Sequence, residues 1–167
     1  MSSKVPKFLV DSMAGKLARR LRMLGFDAEY ERTGNIQRLI ARAKDEDRII
    51  LTRNLRFKKV HIPKGVRVVF LRSELTPIQV RQVIDEFGLR EHIRPFTRCV
   101  ECNEPLVEIK DKEEVRGKVP FYVFQTHEEF SMCPKCRRIY WKGTHVEAMR
   151  DMLSRILGME IEGNEET

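Results

Sequence analysis

At 167 residues the chain has room for one ordinary domain, or for a domain of about 100 residues beside a small metal-held one. Its hydrophobic residues, 41% of the total, form no run long enough for a spanning helix, so the chain reads as soluble and cytoplasmic, with no membrane partner and no secretory leader. Charged residues make up 34% while asparagine and glutamine are scarce, a balance that leans toward a thermophilic source. The charge is unevenly placed. Residues 1–97 carry 21 Lys/Arg against 11 Asp/Glu, a net of +10, and residues 98–167 carry 11 against 14, a net of −3. A positive field on the first part suits a polyanion, nucleic acid being the commonest, with a merely solvated surface as the plain alternative.

The first part alternates strand and helix signals. Phe8-Leu9-Val10 is a short apolar run, and Met13, Leu17, Leu21 and Leu24 then share one face of a helix that Gly25 terminates. A second strand is predicted near Ala28–Tyr30, and Thr33-Gly34-Asn35 breaks the chain before a helix carrying Ile36, Leu39, Ile40 and Ala43. Residues 49–52 form the third strand and residues 66–71 the fourth. Thr76 then caps a third helix, with Pro77 at its first position and Gln79 completing a capping box, and this helix runs to about Phe87-Gly88. This order implies an α/β fold, a mostly parallel sheet flanked by helices over residues 1–94. Ligands of such sheets sit beyond the carboxyl ends of the strands, which singles out Asp11, Glu31 and Arg53-Asn54. Asp11 precedes a helix and is either a cation ligand or a helix cap; Glu31 is either a second ligand or a solvated side chain.

A boundary falls near Arg94-Pro95-Phe96-Thr97, leaving residues 95–167 as a second module. All four cysteines lie there in two C-x-x-C pairs, Cys99/Cys102 and Cys133/Cys136. Two residues between cysteines let one tight turn aim both thiolates at one ion, and two such turns close a tetrahedral Zn²⁺ site. Two disulfides and four unrelated thiols are the alternatives, disfavoured in a reducing compartment. A closed four-thiolate site has no open position, so this zinc is structural. The 30-residue gap between pairs exceeds a usual zinc-ribbon spacing, and residues 111–130 read as a polar, partly helical insertion. Residues 106–109 and 138–141 are strand candidates. A last helix, about 146–157, places Met149, Met152, Leu153 and Ile156 on one side, read as core packing, and an acidic tail follows.

The segment F-L-V-D-S-M-A-G-K-L-A-R-R-L-R-M-L-G-F-D, residues 8–27, resembles the opening of the Mut7-C RNase domain family. I-I-L-T-R-N at 49–54 is similar to that family's strand ending in T-R-D. R-P-F-T-R-C-x-x-C-N, K-E-E-V, V-P and C-x-x-C-x-x-x-Y-W-x-G-T-H extend the resemblance to about residue 150. It implies a PIN-like nuclease core with acidic residues around Mg²⁺ or Mn²⁺, a C-terminal zinc ribbon, and RNA as substrate. Asp11 matches the family's first aspartate, and Lys16, Arg19 and Arg22 match or resemble basic positions of its first helix. Asn54 stands where the family has the aspartate of T-R-D, and Asn35-Ile36-Gln37 where acidic residues are usual.

Two functions follow. One is an RNA-binding protein with a depleted acidic site and weak or absent catalysis, docking on structured RNA or a ribonucleoprotein such as the ribosome. The other is an active ribonuclease holding Mg²⁺ or Mn²⁺ on Asp11 and Glu31, with Asn54 as a neutral ligand or orienter of water. A protein-binding zinc module beside an incidental basic domain is a third, weaker reading. The RNA contacts predicted are Lys16, Arg19, Arg20 and Arg22 on the first helix, and Arg53, Arg56, Lys58 and Lys59 after the third strand. Phe57 and Trp141 are open to base stacking or to packing, packing being favoured. His127 and His145 are candidate acid–base or auxiliary metal groups, with local hydrogen bonding the plainer role for His145.

Overall fold

Four short strands whose residues are apolar or half-apolar build the first sheet: β1 (Phe8–Asp11), β2 (Ala28–Glu31), β3 (Ile49–Thr52) and β4 (Val68–Phe70). The structure is a computed structural model and describes residues 4–142 together with 150, 151, 153–156 and 158. All four strands run parallel, in the order β2-β1-β3-β4. Every residue of β1 is buried, as expected of a central parallel strand covered on both faces. The chain leaves β1 to one side for β2 and to the other for β3, so the order reverses between β1 and β3. At such a switch point the connections diverge and leave a crevice at the carboxyl ends.

Three helices cover this sheet: α1 (Gly15–Met23), α2 (Ile36–Glu46) and α3 (Thr76–Glu86). Leu17, Ala18 and Leu21 bury one face of α1, and Leu39, Ile40 and Ala43 bury one face of α2 against Leu9, Ile50 and Phe57. Each fully buried Leu or Phe contributes about 1.5–3 kcal/mol, so these few stripes dominate the attachment of the helices. Met13 does not join the α1 stripe. It is 69% exposed, because Ser12–Ala14 form a separate 3-10 turn and the helical spacing begins only at Gly15. Gly25, at φ 93°, follows the last turn of α1 in the left-handed conformation that glycine adopts freely. The start of α3 also differs from expectation. Thr76 is already helical and Leu75 occupies the cap with no side-chain bond, while Gln79 donates to the Ser73 carbonyl at 2.8 Å.

The chain divides into two compact units between Phe96 and Thr97. In the second, β5 (Val107–Ile109), β6 (Phe130–Met132) and β7 (Ile139–Tyr140) make an antiparallel sheet in the order β5-β6-β7. A short helix, α4 (Phe121–Thr126), lies between β5 and β6 in the chain. Val115, Val119, Val123 and Phe130 form a small core, with Ile109, Phe124, Ile139 and Trp141 packed against it. Residues 150, 151 and 153–156 are helical and Leu153 is fully buried. His145, Met149, Met152 and the acidic tail lie outside the described residues.

Candidate functional site

Asp11 ends β1 at the switch point and is 1% exposed. Its Oδ2 accepts from the Thr52 hydroxyl at 2.7 Å, and its Oδ1 accepts from the Ser12 N–H at 2.6 Å and the Ser12 hydroxyl at 3.2 Å. The same Thr52 oxygen accepts from the Asn54 N–H at 2.9 Å, so one hydroxyl ties the end of β1 to the chain leaving β3. Two contacts hold the Ser12 turn in place. Tyr30 donates to the Ser12 carbonyl at 2.7 Å, and Gly34, at φ 68°, approaches so closely that an added Cβ would stand 2.9 Å from the Ser12 hydroxyl. Only glycine fits that close, left-handed position without strain.

Glu31 ends β2 directly beside Asp11 in the parallel register. Its carboxylate is heavily engaged. Arg38 Nε and Arg42 Nη1 both donate to Oε2 at 3.2 Å, and the Thr33 hydroxyl donates to Oε1 at 3.0 Å. Burial works against the charge, but hydrogen bonds from Arg42 and Thr33 and the nearby Arg38 outweigh it and hold the Glu31 carboxyl below its ordinary range. The two asparagines have local roles. Asn35 Oδ1 accepts from the Arg38 N–H at 3.1 Å and caps α2; Asn54 Oδ1 accepts from the Arg56 N–H at 3.0 Å and caps the 3-10 turn Leu55–Lys58.

The basic residues separate into two kinds. Lys16, Arg19, Arg56, Lys58 and Lys59 are exposed, and Arg20 and Arg53 are half-buried. Lys58 lies 5.2 Å from the centre of the Phe70 ring, and Arg53 makes a loose 3.9 Å ion pair with the exposed Glu74. Arg22 departs from the expected surface role. It is 8% exposed and donates from Nε to the Ala28 carbonyl at 2.8 Å, because its position falls on the buried face of α1. Phe57 is 2% exposed and packs in the core.

The four cysteines converge. The sulfurs of Cys99, Cys102, Cys133 and Cys136 all lie within 4.8 Å of one another, and Cys99 and Cys136 are 3.8 Å apart. A tetrahedral ion with bonds to sulfur of about 2.3 Å needs edges of about 3.8 Å, so the donor set fits such an ion. The two turns repeat the same bonding. Cys102 and Cys136 donate their N–H groups to Cys99 and Cys133 sulfurs at 3.4 Å, and Asn103 and Arg137, both at positive φ, donate to the Cys99 and Cys133 carbonyls at 2.9 Å. Among thiols alone the site is in conflict. Burial, then hydrogen bonds from its sulfur neighbours, push Cys102 up to about 12, while the Arg138 N–H pulls Cys136 down to about 6. A bound cation would hold all four as thiolates. Tyr140, whose hydroxyl burial keeps protonated, lies 3.1 Å from the Cys99 sulfur and can donate to it. Among the described residues, these cysteines are the group of three or more His, Cys, Asp and Glu side chains whose ligand atoms gather as a metal site.

A sequence model of the Mut7-C RNAse domain matches residues 6–153. The chain belongs to the Mut7-C RNAse domain family. Exonuclease mut-7 homolog of Homo sapiens is 36% identical over 101 residues, which cover 58% of this chain and 12% of that protein. No solved structure matches the chain. Mut7-C membership supports a nuclease-like function, and the matched span covers both the parallel sheet and the four-cysteine site.

Within this Mut7-C fold, Asp11 and Glu31 end neighbouring strands and Asn54 follows β3, but Glu31 faces arginines and the Asn54 side chain caps a turn. Sequence reasoning missed those partners, Arg38 and Arg42, although their spacing of four marks one helical face. It also missed Thr52, whose signal was its place inside T-R-N, and Tyr140. His127 is half-buried and bonds locally, its Nδ1 lying 2.9 Å from the Thr126 hydroxyl and 3.3 Å from the Val123 carbonyl. No helix among the described residues is long and apolar enough to cross a membrane.

Proposed function

We propose that the chain binds RNA through the basic surface of its first unit and cleaves it weakly or not at all. The observation that carries this reading is the state of the carboxylates at the switch point. Among the described residues, Asp11 is the one acid there without an arginine partner, since Glu31 is engaged by Arg38 and Arg42 and the remaining positions are the capping amides Asn35 and Asn54. A carboxylate touching a dication gains on the order of several kcal/mol even in a well-screened site, so losing two or three of them weakens metal retention by orders of magnitude. The exposed Lys16, Arg19, Arg56, Lys58 and Lys59 support phosphate-led binding, which selects RNA by shape and charge rather than by base. Zn²⁺ is the ion proposed for the four cysteines, on the closed thiolate set, where it acts as a structural staple. Structured RNA or a ribonucleoprotein is the proposed partner.

A second reading, an active ribonuclease using Mg²⁺ or Mn²⁺ on Asp11 and Glu31, draws on the family and on the adjacent register of these two residues. It requires Arg38 and Arg42 to release Glu31. Cleavage of a labelled RNA in Mn²⁺ distinguishes the two. The binding reading expects Asn54→Asp to raise Mn²⁺-dependent cleavage by at least tenfold over the unmodified chain, and Asp11→Asn to remove that gain while leaving RNA affinity equal or slightly higher. Strong cleavage by the unmodified chain, lost in Asp11→Asn, establishes the second reading instead.

A further inference from the structure

In the second unit, β7 and the turn before it form one wall of an open groove of about 610 Å³. Its lining joins Lys118, Arg137 and Arg138 to the rings of Tyr140 and Trp141, with Glu101 as the one carboxylate. The local charge is therefore positive although residues 98–167 are net negative. The cations differ in what they already hold. Arg138 hydrogen-bonds the Cys136 sulfur, whereas Lys118 and Arg137 pair with no carboxylate among the described residues. Trp141 is half-buried, resting on the small core while also lining the groove. Arg137 stands at φ 69° because the second cysteine turn places it there, so the four-sulfur site shapes this wall.

We propose that this groove binds one unpaired RNA nucleotide, its base stacked on Trp141 and its phosphate held by Lys118 and Arg137. The inference rests on the RNA-binding reading above and adds a second contact, on a different unit and of a different kind. An aromatic face beside cations is the combination that single-stranded nucleic acid uses, since every base has a π-face and every nucleotide a phosphate. An acidic peptide would satisfy the cations but leave the ring without a flat partner. The first unit's contacts read the backbone of structured RNA, whereas this groove selects a base that is already out of the stack. Phe121 and Tyr122, 69% and 65% exposed and three and four residues beyond Lys118, offer further stacking faces on α4.

Trp141 is the only tryptophan of the chain, so its fluorescence reports on the groove and on the small core beneath it, and on no site in the first unit. The full-length, metal-loaded protein is titrated with a labelled single-stranded RNA of about ten nucleotides, and anisotropy and tryptophan emission are read on the same samples. The expected result is saturable quenching in step with anisotropy, much weaker with a duplex of equal length. Lys118→Glu with Arg137→Gln should remove the quenching and weaken single-strand binding roughly tenfold, with metal content unchanged. RNA binding by anisotropy with no quenching overturns the groove and leaves the first unit's RNA reading standing. Absence of both signals overturns both. Quenching by oligoglutamate but not by RNA overturns the proposal in favour of a peptide site.

Discussion

Glu31 is where the chemistry of single residues decides most. A carboxylate at the end of a parallel strand, one strand away from Asp11, has the right address for a metal ligand, yet Arg38, Arg42 and Thr33 use its oxygens. Glu31→Gln keeps the shape and removes the charge, and should cost about 2 kcal/mol, a fall in the melting temperature of roughly 10 °C at neutral pH. The pH dependence has a definite sign. Because the folded carboxyl titrates below its ordinary value of 4.5, its contribution is present above that value and is lost as pH falls through the lower folded one. The difference in melting temperature between the two proteins should thus be full above about pH 5 and shrink as the pH falls below 4.5. A constant difference across that range would show that the ion pairs do not carry it. The Glu31 pairs were not legible in the sequence. The i, i+4 spacing of Arg38 and Arg42 shows a shared face, but which acid they meet depends on the turn at Gly34.

At the scale of elements, the parallel strands were legible because short apolar runs alternate with helical periodicity along residues 8–86, and a strand followed by a crossover helix returns parallel. The start of α3 was not, since Leu75 rather than Thr76 occupies the cap and Gln79 reaches back to the Ser73 carbonyl instead of closing a capping box. β6 was also hidden: Phe130-Ser131-Met132 is too short to show alternation, and it exists as the middle strand between β5 and β7. Both cysteine turns were legible from spacing alone. Among the described residues the core they support is small, three valines and Phe130 with four half-buried side chains around them, and a bound structural ion supplies about 10–16 kcal/mol in comparable small modules. Chelation, or Cys102→Ser, should therefore melt the second unit while the far-UV signal of α1, α2 and α3 persists. Retention of the native Trp141 emission after complete metal removal would refute the staple.

For the whole molecule the main variable is charge. The net +10 of residues 1–97 predicts RNA affinity that falls steeply with salt, with a log–log slope reduced by about 1 for each phosphate contact removed. Reversing Lys16 and Arg19, or Arg56 and Lys58, should lower both affinity and slope, whereas reversing Lys110 on the second unit should change neither. An affinity that ignores salt would remove phosphate contacts as its basis. Composition made this field legible; it could not show that Arg22 is withdrawn from it, because burial on α1 depends on where the helix begins. The central claim is binding without effective cleavage, and one assay reads both halves at once. The unmodified chain is mixed in excess with end-labelled RNA and Mn²⁺, and each time point is divided between a filter and a denaturing gel. The account predicts RNA retained on the filter and intact on the gel; RNA that is bound and then cut, with Asp11→Asn abolishing the cutting, would contradict it.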